Sequence, residues 1–389
     1  MPKLRATAAA AVAAALAMTL AGCDSDTGQP DPKPSSSATQ AISQQDIDDL
    51  KDALGDIDPK DLPDSLKDLD LDKWRNGAWK NWDKDDWLRE AKEFINPIIK
   101  DFWNDKRLHD AEGHGKEVDE SDVDEGVTDP VPAPVTAKKV PTPYDDAPPV
   151  GKILFETPEG PAVCSGTVVK DPKHPGTSNL VATAGHCVHA GAEGGWYRNI
   201  VFVPHFNSKG LSLEQIKGTT LEEHAPQGVW WAKQARTTPY WIDNGGPNAH
   251  GAARDFAVLK VRPENPGKYT KSLEETVGQA VDIDFGTPAV DDITSLTAIG
   301  YPAAPPFDGM AMYECTDEPG RLTIRDSRPT MYRIGCTMTG GSSGGGWLDA
   351  DGDLLSVTSI GPVDRHTWLA GARLDKEAKA VYQEIVATK

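Results

Sequence analysis

Thr339-Gly340-Gly341-Ser342-Ser343-Gly344-Gly345-Gly346-Trp347 sets serine inside a run of glycines, and two other segments supply that serine with chemical partners. Upstream stand Cys164-Ser165-Gly166-Thr167, followed by Ala182-Thr183-Ala184-Gly185-His186-Cys187, and then Arg254-Asp255-Phe256-Ala257-Val258-Leu259. Taken alone, each has a plainer reading. A histidine beside a cysteine is most often structural, an aspartate opening an apolar run is usually a strand end, and a Gly/Ser loop is usually a linker or a phosphate cradle. The cradle is excluded here, because no Lys-Ser/Thr follows the glycines. The surroundings are short apolar runs, many of them β-branched, at 152–155, 165–169, 180–184, 200–203, 256–261, 293–299 and 354–360. Gly, Pro and Asn cluster between them, which predicts an all-β barrel or sandwich. Leu374, Ala378, Val381 and Ile385 recur at helical spacing and predict a closing amphipathic helix.

Together, in the order His, Asp, Ser, these segments resemble the chymotrypsin-like serine proteases, and more closely their bacterial trypsin-like and V8-like members. The resemblance covers roughly residues 150–389 and implies two six-stranded antiparallel β-barrels followed by a C-terminal helix. It also implies a serine endopeptidase acting on protein or peptide through an acyl-enzyme, with no cofactor and no metal. A serine hydroxyl is a poor nucleophile at neutral pH, so an imidazole must take its proton during attack. His186 is assigned that role, Asp255 holds its tautomer, and Ser343 attacks. The glycines allow a tight turn, so that the N–H groups of Gly341 and Ser343 converge on the developing oxyanion. Ser342 is the neighbouring hydroxyl, but Ser343 occupies the matching place before Gly344-Gly345.

The same resemblance implies a Cys164–Cys187 disulfide beside the histidine and leaves Cys315 with Cys336 to brace the loop leading to Ser343. It places the specificity pocket's floor near Thr337, and its wall at Thr358-Ser359-Ile360-Gly361, where extended substrate adds as a strand. No carboxylate stands at the floor, which argues against preference for Arg or Lys. Glutamate-specific relatives carry a His just before the wall; here Val357-Thr358 stands there and His366 lies further on. Digestive members carry an Asp before the nucleophile that pairs with a freed amino terminus. Ser342 cannot make that pair, so the oxyanion turn is expected to form without amino-terminal liberation. The long interval between His186 and Asp255 leaves room for an insertion around Gly218–Gly251. Asp349-Ala350-Asp351-Gly352-Asp353 has too little of a calcium loop and predicts a hairpin turn.

Outside that region the chain has another character. Lys3 and Arg5 precede an alanine-rich apolar stretch too short to span a bilayer, which predicts an export signal over residues 1–22. Its end, Leu20-Ala21-Gly22-Cys23, resembles the bacterial lipobox, which implies a diacylglycerol on Cys23 and anchoring to the outer face of the cell membrane. Residues 23–45 are polar and predict a disordered tether. Residues 46–110 form an acidic, Trp-rich segment in which Trp87, Ala91, Phe94, Ile95, Ile98, Phe102 and Trp103 fall on one helical face, interrupted at Pro97. The favoured reading is a small helical unit that hides its own stripe; the other is a docking face for a membrane, a partner or the following domain. Residues 111–149, acidic and then proline-rich, read as a linker with polyproline character.

The formal net charge of −20 argues against binding DNA or RNA, which needs a basic surface. Residues 24–150 hold 32 acidic and 16 basic side chains, so most of that charge belongs to the region before the β-rich part. That distribution predicts a self-repelling stalk that carries an enzyme away from a membrane. Two rivals stand beside the endopeptidase: a catalytically silent protease-fold module that binds peptides or cell-wall partners, and an esterase built on the same triad. The order His, Asp, Ser runs against the α/β-hydrolase arrangement.

Overall fold

A computed structural model describes residues 71–83, 94, 96–124, 127–217, 219–247, 249–324, 327–363 and 365–388. Cys23, the export signal and the tether lie outside the described residues, as do Trp87, Ala91 and Ile95. No helix among the described residues is long and apolar enough to cross a membrane.

The strands in chain order are β1 Glu112–Gly113, β2 Lys116–Val118, β3 Lys138–Lys139, β4 Val150–Thr157, β5 Gly160–Val169, β6 Leu180–Thr183, β7 Arg198–Pro204 and β8 Trp230–Thr237. They continue as β9 Ala257–Pro263, β10 Leu296–Gly300, β11 Tyr313–Asp317, β12 Gly320–Ile324, β13 Ser327–Gly335, β14 Gly346–Leu348, β15 Leu354–Pro362 and β16 Trp368–Arg373. The chain is mostly β, as its pattern predicted. Strands β5-β4-β7-β8-β9-β6 pair antiparallel, and a β5–β6 ladder closes them into a six-stranded barrel. The second half departs from a closed six-stranded barrel: it is a nine-stranded sheet, ordered β12-β13-β16-β15-β14-β10-β11-β3, with β2 added to β15. Among the described residues no ladder joins β11 to β13. The Cys315–Cys336 disulfide and a bond from the Gly335 N–H to Asp317 Oδ2 hold that seam.

The terminal helix spans Lys376–Ala387, capped by Asp375, whose Oδ1 accepts from the N–H groups of Glu377 and Ala378. Ala378, Val381 and Ile385 are buried, and the helix packs across β8 and β9. The expected insertion at 218–251 is corrected, since the interval contains β8, a wall of the barrel itself. The Asp349–Asp353 run is the β14–β15 turn, where Gly352 takes φ +87° and Asp349 Oδ1 accepts from the N–H groups of Asp351 and Asp353.

The described part of the acidic N-terminal region, residues 71–83, 94 and 96–110, packs on the barrel. Residues 96–99 are non-helical, because Pro97 has no N–H to give and Asn96 is engaged elsewhere. Strands β7 and β8 share a ladder of two residue pairs, Val201↔Trp231 and Phe202↔Trp230. Beyond it Asn96 bridges them: its Oδ1 accepts from the Ile200 N–H, and its Nδ2 donates to the carbonyls of Ile200 and Ala232. A buried side-chain amide thus satisfies backbone groups that the ladder leaves open. Trp79, Phe102 and Trp103 pack into the barrel's own core, with Trp103 Nε1 donating to the Asn199 carbonyl. Arg107 pairs with the buried Glu156. Strand β4 is consequently buried on both faces. The predicted linker is likewise bound: β1 joins β5, β2 joins β15, β3 joins β11, and Asp129 pairs with Arg321.

Candidate active site

The pairing that closes the barrel also places the first two residues of the site. Strands β6 and β9 are antiparallel with Thr183 opposite Ala257. His186, three residues past that pair, and Asp255, two residues before it, therefore leave the sheet at the same edge. Asp255 Oδ2 lies 2.6 Å from His186 Nδ1, and its Oδ1 accepts from the His186 backbone N–H at 2.8 Å. Ser359 Oγ donates to the same Oδ2 at 2.6 Å. Both residues are fully buried. The carboxylate thus has three donors in a dry site, where each bond to a charge is strong. Beyond the histidine, Cys187 is disulfide-bonded to Cys164 on β5. Trp241 donates its Nε1–H to the His189 carbonyl and lies 6.0 Å from the His186 ring. Burial pushes the neighbouring His189 down to about 4, so it is neutral at physiological pH.

Ser343 sits on the turn between β13 and β14. Its carbonyl accepts from the Ser165 N–H, and Gly346 N donates to Thr167 Oγ1, so β5 fixes the turn from below. Gly344 has φ +75°, and a Cβ there would lie 2.1 Å from Thr183 Oγ1 and 2.9 Å from the Ala184 nitrogen. Only glycine allows that approach, and it brings Ser343 against the segment that carries His186. Gly341 takes φ +100°, the Gly340 carbonyl accepts from the Ala303 N–H, and Ser342 Oγ donates to the Thr339 carbonyl. Among the described residues the N–H groups of Gly341 and Ser343 find no protein acceptor. His186 Nε2 is buried without a hydrogen-bond partner, so no bond to Ser343 Oγ is closed.

A cavity of about 220 Å³ adjoins Ser343 and is bounded by Met338, Thr339, Thr358, Gly361 and His366. Thr337, the expected pocket floor, is not on it. The Thr337 hydroxyl accepts from the Ala137 N–H and its own N–H donates to the Val135 carbonyl, so the N-terminal region occupies it. Thr358 lines the cavity, but its hydroxyl is taken by Trp347 Nε1 at 2.8 Å. Ser359 lines the cavity as well, while its hydroxyl donates to Asp255 Oδ2. Gly361 is on the wall, already paired with Glu117 of β2.

His114 was missed by the sequence reading. Its ring lies 5.7 Å from that of His186 and also contacts Phe155 and Tyr197. Burial, with His186 and Lys116 nearby, holds it well below the ordinary histidine range. The signal available was Gly113-His114-Gly115, an apolar-tolerant, flexible triplet inside an acidic stretch.

Residues 164–357 match the trypsin-like peptidase domain. No curated protein matches the chain. Among solved structures, the thermostable serine protease AL20 from an extremophilic microorganism is 29% identical, over 63% of this chain and 100% of its own, with a TM-score of 0.51. The protease Anisep from Arthrobacter nicotinovorans is 27% identical, over 65% of this chain and 99% of its own, with a TM-score of 0.49. The chain belongs to the chymotrypsin-like, trypsin-type serine proteases and is a serine endopeptidase.

Proposed function

We propose that His186, Asp255 and Ser343 are the catalytic triad of this endopeptidase, which is held at the outer face of the cell membrane by a lipid on Cys23. The observation that carries the triad is the three-donor cage around Asp255, which fixes a hydrogen on His186 Nδ1 and leaves Nε2 free to accept. In that tautomer His186 takes the Ser343 proton as Oγ attacks the scissile carbonyl, then gives it to the departing amine. The N–H groups of Gly341 and Ser343 receive the oxyanion; loss of one such donor typically costs about 10²–10³ in turnover. Water then releases the acyl group. The substrate is a protein or peptide whose extended backbone lies along Ser359-Ile360-Gly361. Apart from residues of β2, the described lining of the cavity beside Ser343 holds no carboxylate, so it offers no partner for a Lys or Arg side chain.

Labelling with a fluorophosphonate tests this reading. The native chain is expected to acquire one adduct on Ser343, and Ser343→Ala and His186→Ala are expected to acquire none. Equal labelling of all three would overturn it. Radiolabelled palmitate incorporation that survives in a Cys23→Ser chain would overturn the anchor.

A further inference from the structure

We propose that residues 112–118 are a built-in inhibitor, threaded through the substrate cleft against the productive direction, so that the folded chain is latent. This rests on the endopeptidase reading above. The segment enters beside β5, with Glu112 opposite Ala162, Gly113 opposite Val163, and the His114 N–H donating to the Val163 carbonyl at 2.9 Å. It leaves beside β15, with Lys116 opposite Ile360, Glu117 opposite Gly361 and Val118 opposite Pro362. Both pairings are parallel. Between them the chain crosses the reacting groups.

The direction matters because acyl and leaving groups have fixed sides. The leaving amine must face His186, on the flank that the Cys164–Cys187 disulfide ties to β5. The acyl portion must lie along β15, next to Ser343 and the Gly341 turn. A productive peptide therefore runs from β15 towards β5, antiparallel to β15. The 112–118 strap runs from β5 to β15. In that sense each peptide unit over Ser343 presents its carbonyl and N–H with their flanks exchanged, and a nitrogen expelled there would face away from His186. The strap fills the cleft without being a substrate.

Its residues fit this task. A Cβ on Gly113 would lie 2.3 Å from the Gly340 carbonyl oxygen, and one on Gly115 would lie 3.1 Å from Gly340 Cα. The strap's backbone therefore rests directly on the turn that carries the oxyanion donors, at a distance that at Gly113 admits no side chain and at Gly115 leaves one tightly crowded. Between the glycines, His114 covers His186, which is left with no exposed surface, and Ser343 is only 3% exposed. The strap is tethered at both ends. Upstream, Trp103 and Phe102 sit in the barrel core; downstream, Asp129 pairs with Arg321.

The test uses the full chain and compares fluorophosphonate labelling rates of Ser343 in the native protein, in Gly113→Val/Gly115→Val, and in His114→Ala. The expected result is labelling at least tenfold faster in both variants, returned towards the native rate by an added peptide of residues 110–120. Native labelling as fast as in the variants would overturn the strap and leave the triad standing. Should no form label although near-ultraviolet circular dichroism shows them folded, the triad reading falls. Hydrogen exchange then decides the strap. Slow exchange at residues 113–118, lost in the double glycine variant, supports occupancy of the cleft, and fast exchange there in the native chain overturns it.

Discussion

Asp255→Asn isolates what the cage around the carboxylate does. The backbone N–H of His186 can only donate, so the new amide must keep its oxygen at the Oδ1 position, 2.8 Å away. Its NH₂ group then replaces Oδ2, which now accepts from His186 Nδ1 and from Ser359 Oγ, each at 2.6 Å. The serine hydroxyl rotates and becomes an acceptor at little cost. The imidazole can accept only by giving up its Nδ1 proton, which moves to Nε2. A protonated Nε2 cannot take the Ser343 hydrogen. The alternative, two donors facing each other in a fully buried site, leaves two unsatisfied groups at about 1–3 kcal/mol each. Loss of the base tautomer costs about 10⁴ in turnover, or about 5.5 kcal/mol of barrier. Ser359→Ala is the control. It removes one bond to a buried charge, worth about 1.5–3 kcal/mol, and leaves the tautomer intact, so its loss is roughly 10- to 150-fold. Both are compared by pre-steady-state acylation with a peptidyl ester, in the native chain and again in a His114→Ala chain. An Asp255→Asn loss within tenfold of that in Ser359→Ala would refute tautomer control.

Two further changes probe the scaffold. Lys152 is fully buried with Nζ on the Gly309 carbonyl and against Phe206, and burial lowers it from 10.5 to about 7. An unfolded lysine still binds its proton between those values while the folded one does not, so its penalty grows as pH falls through that window and levels off below it. Lys152→Met should remove a penalty on the order of 5 kcal/mol at neutral pH; if urea midpoints at pH 7 and pH 10 shift equally in both proteins, the burial argument fails. Trp103, 3% exposed, anchors the N-terminal region to Asn199. Trp103→Ala should lower the unfolding free energy of the whole chain by about 3–5 kcal/mol in one transition; a separate early transition with the main one unmoved would show an independent unit.

The residues of the site were legible because their three segments, in the order His, Asp, Ser, resemble those of the chymotrypsin-like proteases. Few side chains can activate a serine, and the local glycines and strand starts that hold them are encoded within a few residues of each. The partners of those residues were not legible. Ser359 reads as one of several hydroxyls on a strand; only the three-dimensional return of β15 past β9 turns it onto Asp255. Strand β8 was hidden because Lys233 and Gln234 fall at a register shift opposite β9, which breaks the alternation that marks a half-buried strand. In the N-terminal region the apolar stripe was visible, but its occupant was not. A stripe records that a face must be covered, and nothing in it says whether its own segment or a barrel covers it. Asn96 gave no signal, since a buried bridging amide looks in sequence like any surface asparagine.

Ser342 links the departure from the digestive pattern to the strap. Where an Asp precedes the nucleophile, latency can be stored in the oxyanion turn itself, which stays unformed until an amino terminus arrives to pair. Here the turn is closed by local bonds alone: Ser342 Oγ to the Thr339 carbonyl, Ala303 N–H to the Gly340 carbonyl, and Ser165 Oγ to the Gly341 carbonyl at 2.9 Å. Each partner is already in place within the folded chain, so no new terminus is required to assemble the donors. With the donors in place on folding, denying access to them is a route to latency that needs no rearrangement of the turn. The strap does this at the turn itself, with Gly113 and Gly115 against Gly340. The same reasoning accounts for the packing of the N-terminal region. A short extended strap with two glycines holds few contacts of its own and would leave the cleft readily. Aromatic residues buried in the barrel on one side and the Asp129–Arg321 pair on the other keep its local concentration high.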